Sequence, residues 1–195
     1  MSAPKLFAVP LVAALLVVGA CDDGAGEPDA TLVPTLERKR VFYFRNGTLG
    51  KIRDSSDERP GVIVADEACT AEAADGGLGG SWRAWLSSSE VDAVERIDDV
   101  GPWYRLDQET LLFPSRAEIG QGPRAAIVPD GEGERRFWSG TGPDGRATAE
   151  TCSDWTVYNV PAVATIGRAD LVGSAWIPDA PLLCAEYLAL LCLEQ

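Results

Sequence analysis

The side chains that could carry enzyme chemistry are sparse in this sequence. Its 195 residues include no histidine, which excludes a Ser-His-Asp triad, a Cys-His dyad and a histidine general base. Two carboxylates in a cleft would suffice for glycoside hydrolysis, but no pair stands out among the 30 Asp and Glu residues. Asp98 and Asp99 end a predicted helix, while Glu132 and Glu134 lie in a glycine-rich loop. We predict no catalytic residue and no cofactor, and we keep a carboxylate-based glycoside hydrolase as a distant alternative.

The same glycine-rich loop is the best candidate for a metal site. Asp130, Glu132 and Glu134 alternate with glycines, and hard cations such as Ca²⁺ accept carboxylate oxygens on flexible backbone. The loop lacks the full spacing of a calcium-binding loop, so a solvated turn is the preferred interpretation and calcium the weaker one. Zinc is disfavoured, because no two cysteines are separated by the roughly two to four residues typical of zinc motifs.

Cys21 follows a segment with the pattern of a bacterial lipoprotein signal peptide. Lys5, an apolar run over residues 6–18 and the small residues Gly19 and Ala20 precede it. The apolar run is shorter than the roughly 20 residues that a membrane-spanning helix needs. We predict a signal peptide over residues 1–20 and a lipid on Cys21, with ordinary secretion and an uncleaved leader as the alternatives.

The remaining chain is strongly acidic. Residues 1–20 carry one basic residue and no acid, so the chain without them has 16 Lys and Arg, 30 Asp and Glu, and a net charge of −14. This charge opposes nucleic acid and anionic lipid surfaces by bulk electrostatics. Residues 21–37 are rich in Asp, Gly, Ala and Pro, which predicts a flexible tether. Residues 38–195 are long and apolar enough to form one domain.

That domain mixes short strands with helices, which predicts an α+β fold. The apolar residues 41–44 precede Asn46-Gly47, a pair typical of a tight hairpin. A strand is expected at 62–64, a helix capped by Asp66 running to about Asp75, and a second helix from Ser89 to Gly101. Turns are expected at 129–131 and 142–145. Further strands are predicted over residues 81–86, 111–113, 125–128, 136–138, 155–158, 163–166 and 187–193.

Four cysteines remain after Cys21, and an exported chain should oxidise them to two disulfides. Three pairings are open to four cysteines, and their spacing does not choose between them.

A series of motifs in this domain resembles the endostatin domain at the C-terminus of certain collagens. The resemblance covers roughly residues 61–195, and several motifs in one order are more specific than any one of them. The motifs are Ala65-Asp66 leading to Cys69, Gly77-Leu78-Gly79-Gly80-Ser81-Trp82-Arg83-Ala84-Trp85-Leu86-Ser87-Ser88, Leu111-Leu112-Phe113-Pro114-Ser115, Trp138-Ser139-Gly140 through Asp144-Gly145-Arg146, Cys152-Ser153-Asp154-Trp155, and Cys184 to Cys192-Leu193-Glu194.

The resemblance implies a C-type-lectin-like/endostatin-like fold with short, mostly antiparallel strands, about two main helices and extensive loops. It also implies two nested disulfides, Cys69 with Cys192 and Cys152 with Cys184. The zinc site of the family uses histidines that this chain lacks, and its heparin-binding arginine face conflicts with the acidic composition. A polyanion partner would require six arginines to converge, namely Arg83, Arg105, Arg116, Arg124, Arg135 and Arg136.

Tryptophans suggest where a ligand would bind. Trp82, Trp138 and Trp155 lie within the shared motifs and are expected in the core. The other three are less committed, and aromatic faces pack well against sugars. The candidate ligand face is Arg83, Trp85, Trp103, Trp176 and Asp179.

These features together predict a non-enzymatic binding module, exported and lipid-anchored on the outer or periplasmic face of a bacterial cell envelope. Its expected partner is a glycan or a protein, and the membrane is contacted through the lipid. The alternative is a structural envelope protein that acts through self-association. A concave surface would favour the binding module, and an exposed apolar patch without a cleft would favour self-association.

Overall fold

A computed structural model describes residues 38–129 and 135–195 of the chain. The predicted signal peptide, the tether with Cys21, and the loop residues Asp130, Glu132 and Glu134 lie outside the described residues. All elements below belong to one unit of the chain, Glu37–Gln195.

The described residues form an α+β fold around one sheet, as the sequence predicts. Neighbouring strands are mostly antiparallel, with β1–β3 and β5–β8 the parallel pairs. The strand order is β4-β3-β1-β8-β5-β6-β7, and β2 also pairs with β8. The strands are β1 Lys39–Thr48, β2 Trp82–Ala84, β3 Trp103–Tyr104, β4 Leu111–Phe113, β5 Arg136–Trp138, β6 Val163–Arg168, β7 Asp179–Leu183 and β8 Leu188–Glu194.

Strands β1 and β8 form the centre of the sheet and separate two hydrophobic clusters. Val41 and Leu193 pair across the two strands and belong to one cluster, which also contains Trp85, Trp103 and Trp176. Their neighbours along each strand point to the opposite face, since side chains alternate along a strand. Phe42 and Cys192 accordingly pack in the second cluster. Both faces of the central strands are therefore buried.

The described helices are α1 Gly61–Asp75, α2 Ala93–Arg96, α3 Arg116–Ile119, α4 Cys152–Trp155 and a 3₁₀ turn over Gly173–Trp176. Instead of two main helices, the described part of the chain has one long helix and several single turns. The predicted strand at 62–64 is wrong, because these residues begin α1 directly after Pro60. The buried positions Val62, Ala65, Cys69 and Ala73 follow helical spacing. Asp66 therefore lies inside the helix and does not cap it.

The predicted second helix is reduced to the four residues of α2. Its expected beginning forms other contacts: both the amide and the hydroxyl of Ser89 donate to Asp154, at 2.7 and 2.6 Å. The Asp92 carboxylate accepts from the Ala147 amide at 2.7 Å instead of capping a helix. Ile97 has extended backbone and ends the turn. Tertiary hydrogen bonds thus replace the helical ones.

The predicted hairpin at Asn46-Gly47 is also wrong. β1 continues to Thr48, and Gly47, with a φ of +63°, lies where the ladder with β8 is irregular. The described backbone at 125–128 forms no strand, and the expected strand at 155–158 begins in α4. Strands β3 and β7 were not predicted. The turn at 142–145 is present, with the Gly145 amide donating to the Gly142 carbonyl at 3.0 Å.

Two disulfides join distant elements. Cys69 of α1 is bonded to Cys192 of β8, and Cys152 of α4 to Cys184 after β7. These are the pairs that the endostatin resemblance implies. The first ties the long helix to the central strand, so it links the helical layer to the sheet.

Candidate functional site

The three tryptophans of the predicted ligand face are buried, which corrects that part of the prediction. Trp85, Trp103 and Trp176 are all 0% exposed. Trp85 and Trp176 pack with ring centroids 5.9 Å apart, and Trp103 Nε1 donates to the Glu194 carbonyl at 2.8 Å. Large apolar rings fill the core cluster on this side of the sheet, so they cannot contact a ligand. Trp82, Trp138 and Trp155 are buried as well.

The other two residues of that face lie on separate elements. Arg83 is on β2 and contacts the Asp98 carboxylate at 3.0 Å. Asp179 begins β7, at the end of the sheet, and lies 3.9 Å from Arg168. Strands β8, β5 and β6 intervene between them in the sheet order. The fold therefore does not assemble the predicted ligand face.

Most of the arginines considered for a polyanion site already bind acceptors of the protein. Arg124 pairs with Glu118 at 3.0 Å, and Arg105 donates to the Ala126 carbonyl at 2.5 Å. Arg116 donates to the Ile97 carbonyl at 3.3 Å, and Arg83 pairs with Asp98 as above. Contacts within the protein therefore explain the positions of these four arginine side chains without a polyanion.

A concave surface of the domain lies along β1. A groove of about 440 Å³, here called the apolar groove, has β1 as its floor. Its walls are the C-terminal end of α1 with Leu78, the β3–β4 loop with Leu106, and the segment before Pro129. Its volume is within the roughly 300–1,000 Å³ of typical ligand pockets. The lining is mainly aliphatic and aromatic, with Val41, Phe42, Leu78, Leu106, Ile127 and Val128.

A second groove adjoins the first. This polar groove, of about 400 Å³, is lined by Asn46, Gly47, Arg136, Tyr187, Leu188 and Ala189 together with Tyr43 and Arg45. Tyr43 and Arg45 line both grooves. The two grooves therefore meet on β1, with an apolar region on one side of these residues and a polar region on the other.

Tyr43 is held in place by its surroundings. Its hydroxyl donates to the Arg136 carbonyl of β5 at 2.8 Å, across the intervening strand β8. Burial raises the pKa of the Tyr43 hydroxyl, although Arg135 and Arg45 oppose this effect. The hydroxyl therefore stays protonated at neutral pH and acts as a fixed hydrogen-bond donor that separates the two grooves.

Arg45 is the charged group best placed to meet a ligand. Its side chain is exposed, and no described residue forms a hydrogen bond or ion pair with it. The nearby acids are engaged elsewhere. Glu72 accepts from the Asn46 amide at 3.2 Å, while hydrogen bonds from Thr110 and Glu109 lower the pKa of Asp107.

Residues 41–44 form the strand that their apolar run predicts, but a binding role for them was not predicted. The feature of the sequence that could have indicated the site is the run of four apolar residues followed by the charged Arg45. Such a run indicates a strand buried on both faces, and Arg45 marks the point where β1 reaches solvent. The pattern could not indicate the groove, because the walls of the groove come from the distant segments 72–78, 105–107 and 127–129.

Within residues 38–129 and 135–195, no three His, Cys, Asp or Glu side chains are grouped so that they could hold a metal ion. No helix in the described part of the chain is long and apolar enough to cross a membrane.

No protein-family model matches the chain. It is 30% identical over 156 residues to the human collagen alpha-1(XVIII) chain, a match that covers 69% of this chain. The chain spans only 9% of the length of that collagen. The C-terminal domain of collagen XVIII is endostatin, and the match fits the endostatin-like domain that the sequence motifs predict.

Proposed function

We propose that this chain is a non-enzymatic binding module that recognises a glycan or a protein through the grooves meeting at Tyr43 and Arg45. The observation that supports the proposal is this continuous concave surface, which joins apolar contacts to an exposed cation on one strand. Sites on regular elements hold their side chains more firmly than sites on loops. A concave surface is also the feature that favours binding over self-association.

An exported location is part of this proposal. Disulfides persist in oxidising compartments, and the domain holds two of them. The pattern before Cys21 supports export by a bacterial lipoprotein route, with a lipid on Cys21 and the domain on the outer or periplasmic face. The similarity to a collagen chain is consistent with an extracellular binding domain with a C-type-lectin-like fold.

A non-enzymatic role is proposed from the chemistry of the surface. The chain has no histidine, and the carboxylates beside the grooves accept hydrogen bonds from neighbouring side chains and amides. Among the remaining polar groups of the site, the Arg45 guanidinium can donate to a ligand, and the Tyr43 hydroxyl, whose proton is donated to the Arg136 carbonyl, can accept from one. This set can bind and orient a ligand.

The binding role is tested on arrays of glycans and of envelope and matrix proteins. Oxidised full-length protein would be screened with calcium and again with EDTA, beside Arg45→Gln and the control Arg146→Gln. Arg146 is 67% exposed and lies outside both grooves. We expect a ligand whose signal survives EDTA and falls in Arg45→Gln alone. Silence of all arrays, with concentration-dependent self-association in sedimentation, would replace this proposal with the structural role.

The lipid anchor is tested separately. A bacterial host expressing the full chain would be labelled with a clickable fatty acid and fractionated. We expect label and membrane association that are both lost in Cys21→Ser. Equal labelling and fractionation of the two proteins would contradict lipidation.

A further inference from the structure

We propose that the ligand of this surface is an extended peptide that adds as a strand to the free edge of β1, with aliphatic side chains in the apolar groove and a carboxylate against Arg45. This inference rests on the proposed function, because it names the ligand class of the same site.

Along the apolar groove, one edge of β1 has no described strand paired to it. β3 pairs with β1 only at Lys39 and Arg40, through Trp103 and Tyr104. On the other side, β8 pairs with β1 from Val41 to Thr48. Beyond Arg40, no described strand pairs with the side of β1 opposite β8. Alternate residues of an antiparallel strand direct their N–H and C=O groups away from the partner, so this edge presents a row of unpaired backbone groups.

The lining of the apolar groove shows that the groove follows this edge. Three consecutive residues, Val41, Phe42 and Tyr43, all line it, although neighbours on a strand point to opposite faces. A groove that contacts both faces must run beside the strand.

The two walls lie on opposite sides of the sheet. Leu78 packs with Phe42 in one cluster, and Ile127 and Val128 pack with Val41 in the other. A peptide strand in the groove would direct alternate side chains towards these two walls. Strand addition of this kind takes its affinity from the backbone and its specificity from such alternating pockets.

The position of Arg45 determines where the peptide should carry its acidic residue. Arg45 lies four residues from Val41 along β1, which is about 13 Å in extended backbone. A carboxylate about four residues from the first aliphatic anchor would therefore reach the guanidinium. Because the chain has a net charge of −13, it repels acids over most of its surface. The Arg45 contact should thus select the register of the peptide more than it raises affinity.

A peptide fits the groove better than a glycan. Sugar sites commonly offer an exposed aromatic face, whereas all six tryptophans and Phe42 of the apolar groove are buried, and the exposed Tyr187 lies in the polar groove. The apolar groove instead presents a strand edge between aliphatic walls.

The experiment uses acetylated, fluorescein-labelled octapeptides of alternating valine and threonine with one aspartate near either end, to cover both strand directions. Fluorescence anisotropy with the oxidised full-length protein gives the affinity. N-methylation of every second residue is then introduced in two registers. Only one register removes the N–H groups that face β1, so we expect it to weaken binding by about tenfold or more, since even one lost hydrogen bond of about 1.4 kcal/mol has that effect. The other register should stay within about threefold.

Substitutions of groove residues test whether the peptide binds in the apolar groove. Arg45→Gln should weaken the aspartate peptide about twofold to fivefold and leave its asparagine counterpart unchanged, as expected for one ion pair at an exposed side chain. Leu106→Ser, at a residue 44% exposed, should weaken both peptides. The matched controls are Arg146→Gln and Val160→Ser, since Val160 is 66% exposed and outside both grooves.

The outcomes separate this inference from the proposed function. Equal binding by the two N-methyl registers would overturn strand addition. Failure of all peptides, together with Arg45-dependent binding of an acidic oligosaccharide such as oligogalacturonate, would overturn the peptide ligand and leave the binding module intact. Failure of both probes, with no ligand on the arrays, would overturn both.

Discussion

At the scale of single residues, the most constrained contact is the ion pair of Asp66 and Arg96. The Arg96 side chain is 6% exposed, and its Nη2 lies 2.6 Å from each oxygen of the Asp66 carboxylate. The same guanidinium donates to the carbonyls of Val62, Ala84 and Leu86. One arginine therefore joins α1, α2 and the β2 region. The carboxylate that the sequence suggested as a helix cap holds this junction together.

Asp66→Asn is expected to lower the free energy of unfolding by about 3–5 kcal/mol, because it leaves the buried Arg96 without a countercharge. Urea denaturation followed by tryptophan fluorescence would measure the loss. Asp98→Asn is the control, since its carboxylate is 55% exposed and pairs with the partly exposed Arg83. A loss for Asp66→Asn no larger than that of the control would show that the junction does not depend on the ion pair.

Asp170 should make the stability of the domain depend on pH in the acid range. Hydrogen bonds from Arg168, at 2.9 and 2.6 Å, lower the pKa of the Asp170 carboxyl from 3.8 to about 2. A lowered pKa in the folded state means that this stabilisation is complete above the unfolded pKa near 3.8 and is lost as the pH falls towards 2. The carboxylate is partly exposed, so solvent screening reduces the effect to about 1 kcal/mol.

Urea denaturation of the wild type and of Asp170→Asn between pH 5 and pH 2 would measure this. The difference in unfolding free energy between the two proteins should shrink by about 1 kcal/mol as the pH falls. Protonation of Asp170 removes from the wild type the carboxylate charge beside Arg168 that the variant already lacks. A difference that is constant across the range would mean that Asp170 does not titrate as described.

At the scale of elements, sequence and structure agree where local pattern and tertiary contacts favour the same conformation. The strands β1, β2, β4, β5, β6 and β8 were predicted, because each contains apolar residues in a short run typical of a buried strand. The second helix was predicted but is reduced to the single turn α2, since Ser89 and Asp92 form hydrogen bonds with distant residues. The prediction that three tryptophans form part of a ligand face was wrong for a related reason. Nothing local distinguishes a tryptophan that fills a core from one that meets a ligand.

The turn α4 shows most clearly what local sequence cannot indicate. All four of its residues, Cys152–Trp155, have positive φ, from 51° to 66°, and none is glycine. Such backbone costs L-residues about 1–2 kcal/mol each. It is held by the Cys152 disulfide, by Trp155 Nε1 donating to the Ser87 carbonyl at 2.7 Å, and by Asp154 accepting from Ser89.

Asp154→Ala should therefore destabilise the domain by about 1–3 kcal/mol, because the Ser89 amide loses its acceptor and alanine tolerates positive φ less well than aspartate. Asp144→Ala is the control, since Asp144 is also acidic, 64% exposed and in a turn. Thermal denaturation of both variants would check the prediction. Equal midpoints would indicate that the disulfide and Trp155 hold the turn without Asp154.

At the scale of the whole molecule, charge and concavity have to be considered together. The chain has 30 acidic and 17 basic residues, yet the exposed cation without a described partner, Arg45, lies where two grooves meet. Long-range repulsion then disfavours most anions, while a ligand that reaches the groove gains a local contact. Selectivity should come from shape and register first and from charge second.

The disulfides also act on the whole molecule, and the two should contribute unequally. Cys69 and Cys192 are 123 residues apart in the chain, and Cys152 and Cys184 are 32 apart. A cross-link stabilises mainly by restricting the unfolded chain, so the longer loop should contribute about 5 kcal/mol and the shorter about 4 kcal/mol as upper values. The long bridge additionally connects α1 to the central strand, where both ends are completely buried.

Paired serine variants would separate the two contributions. Cys69→Ser with Cys192→Ser should lower the free energy of unfolding more than Cys152→Ser with Cys184→Ser, as measured by urea denaturation of the oxidised proteins. Under reducing conditions the wild type should lose more stability than either variant, because it alone then loses both bridges. If the short-loop variant were the less stable of the two, the bridge at α4 would act through the native turn that it holds, and restriction of the unfolded chain would not be its main effect.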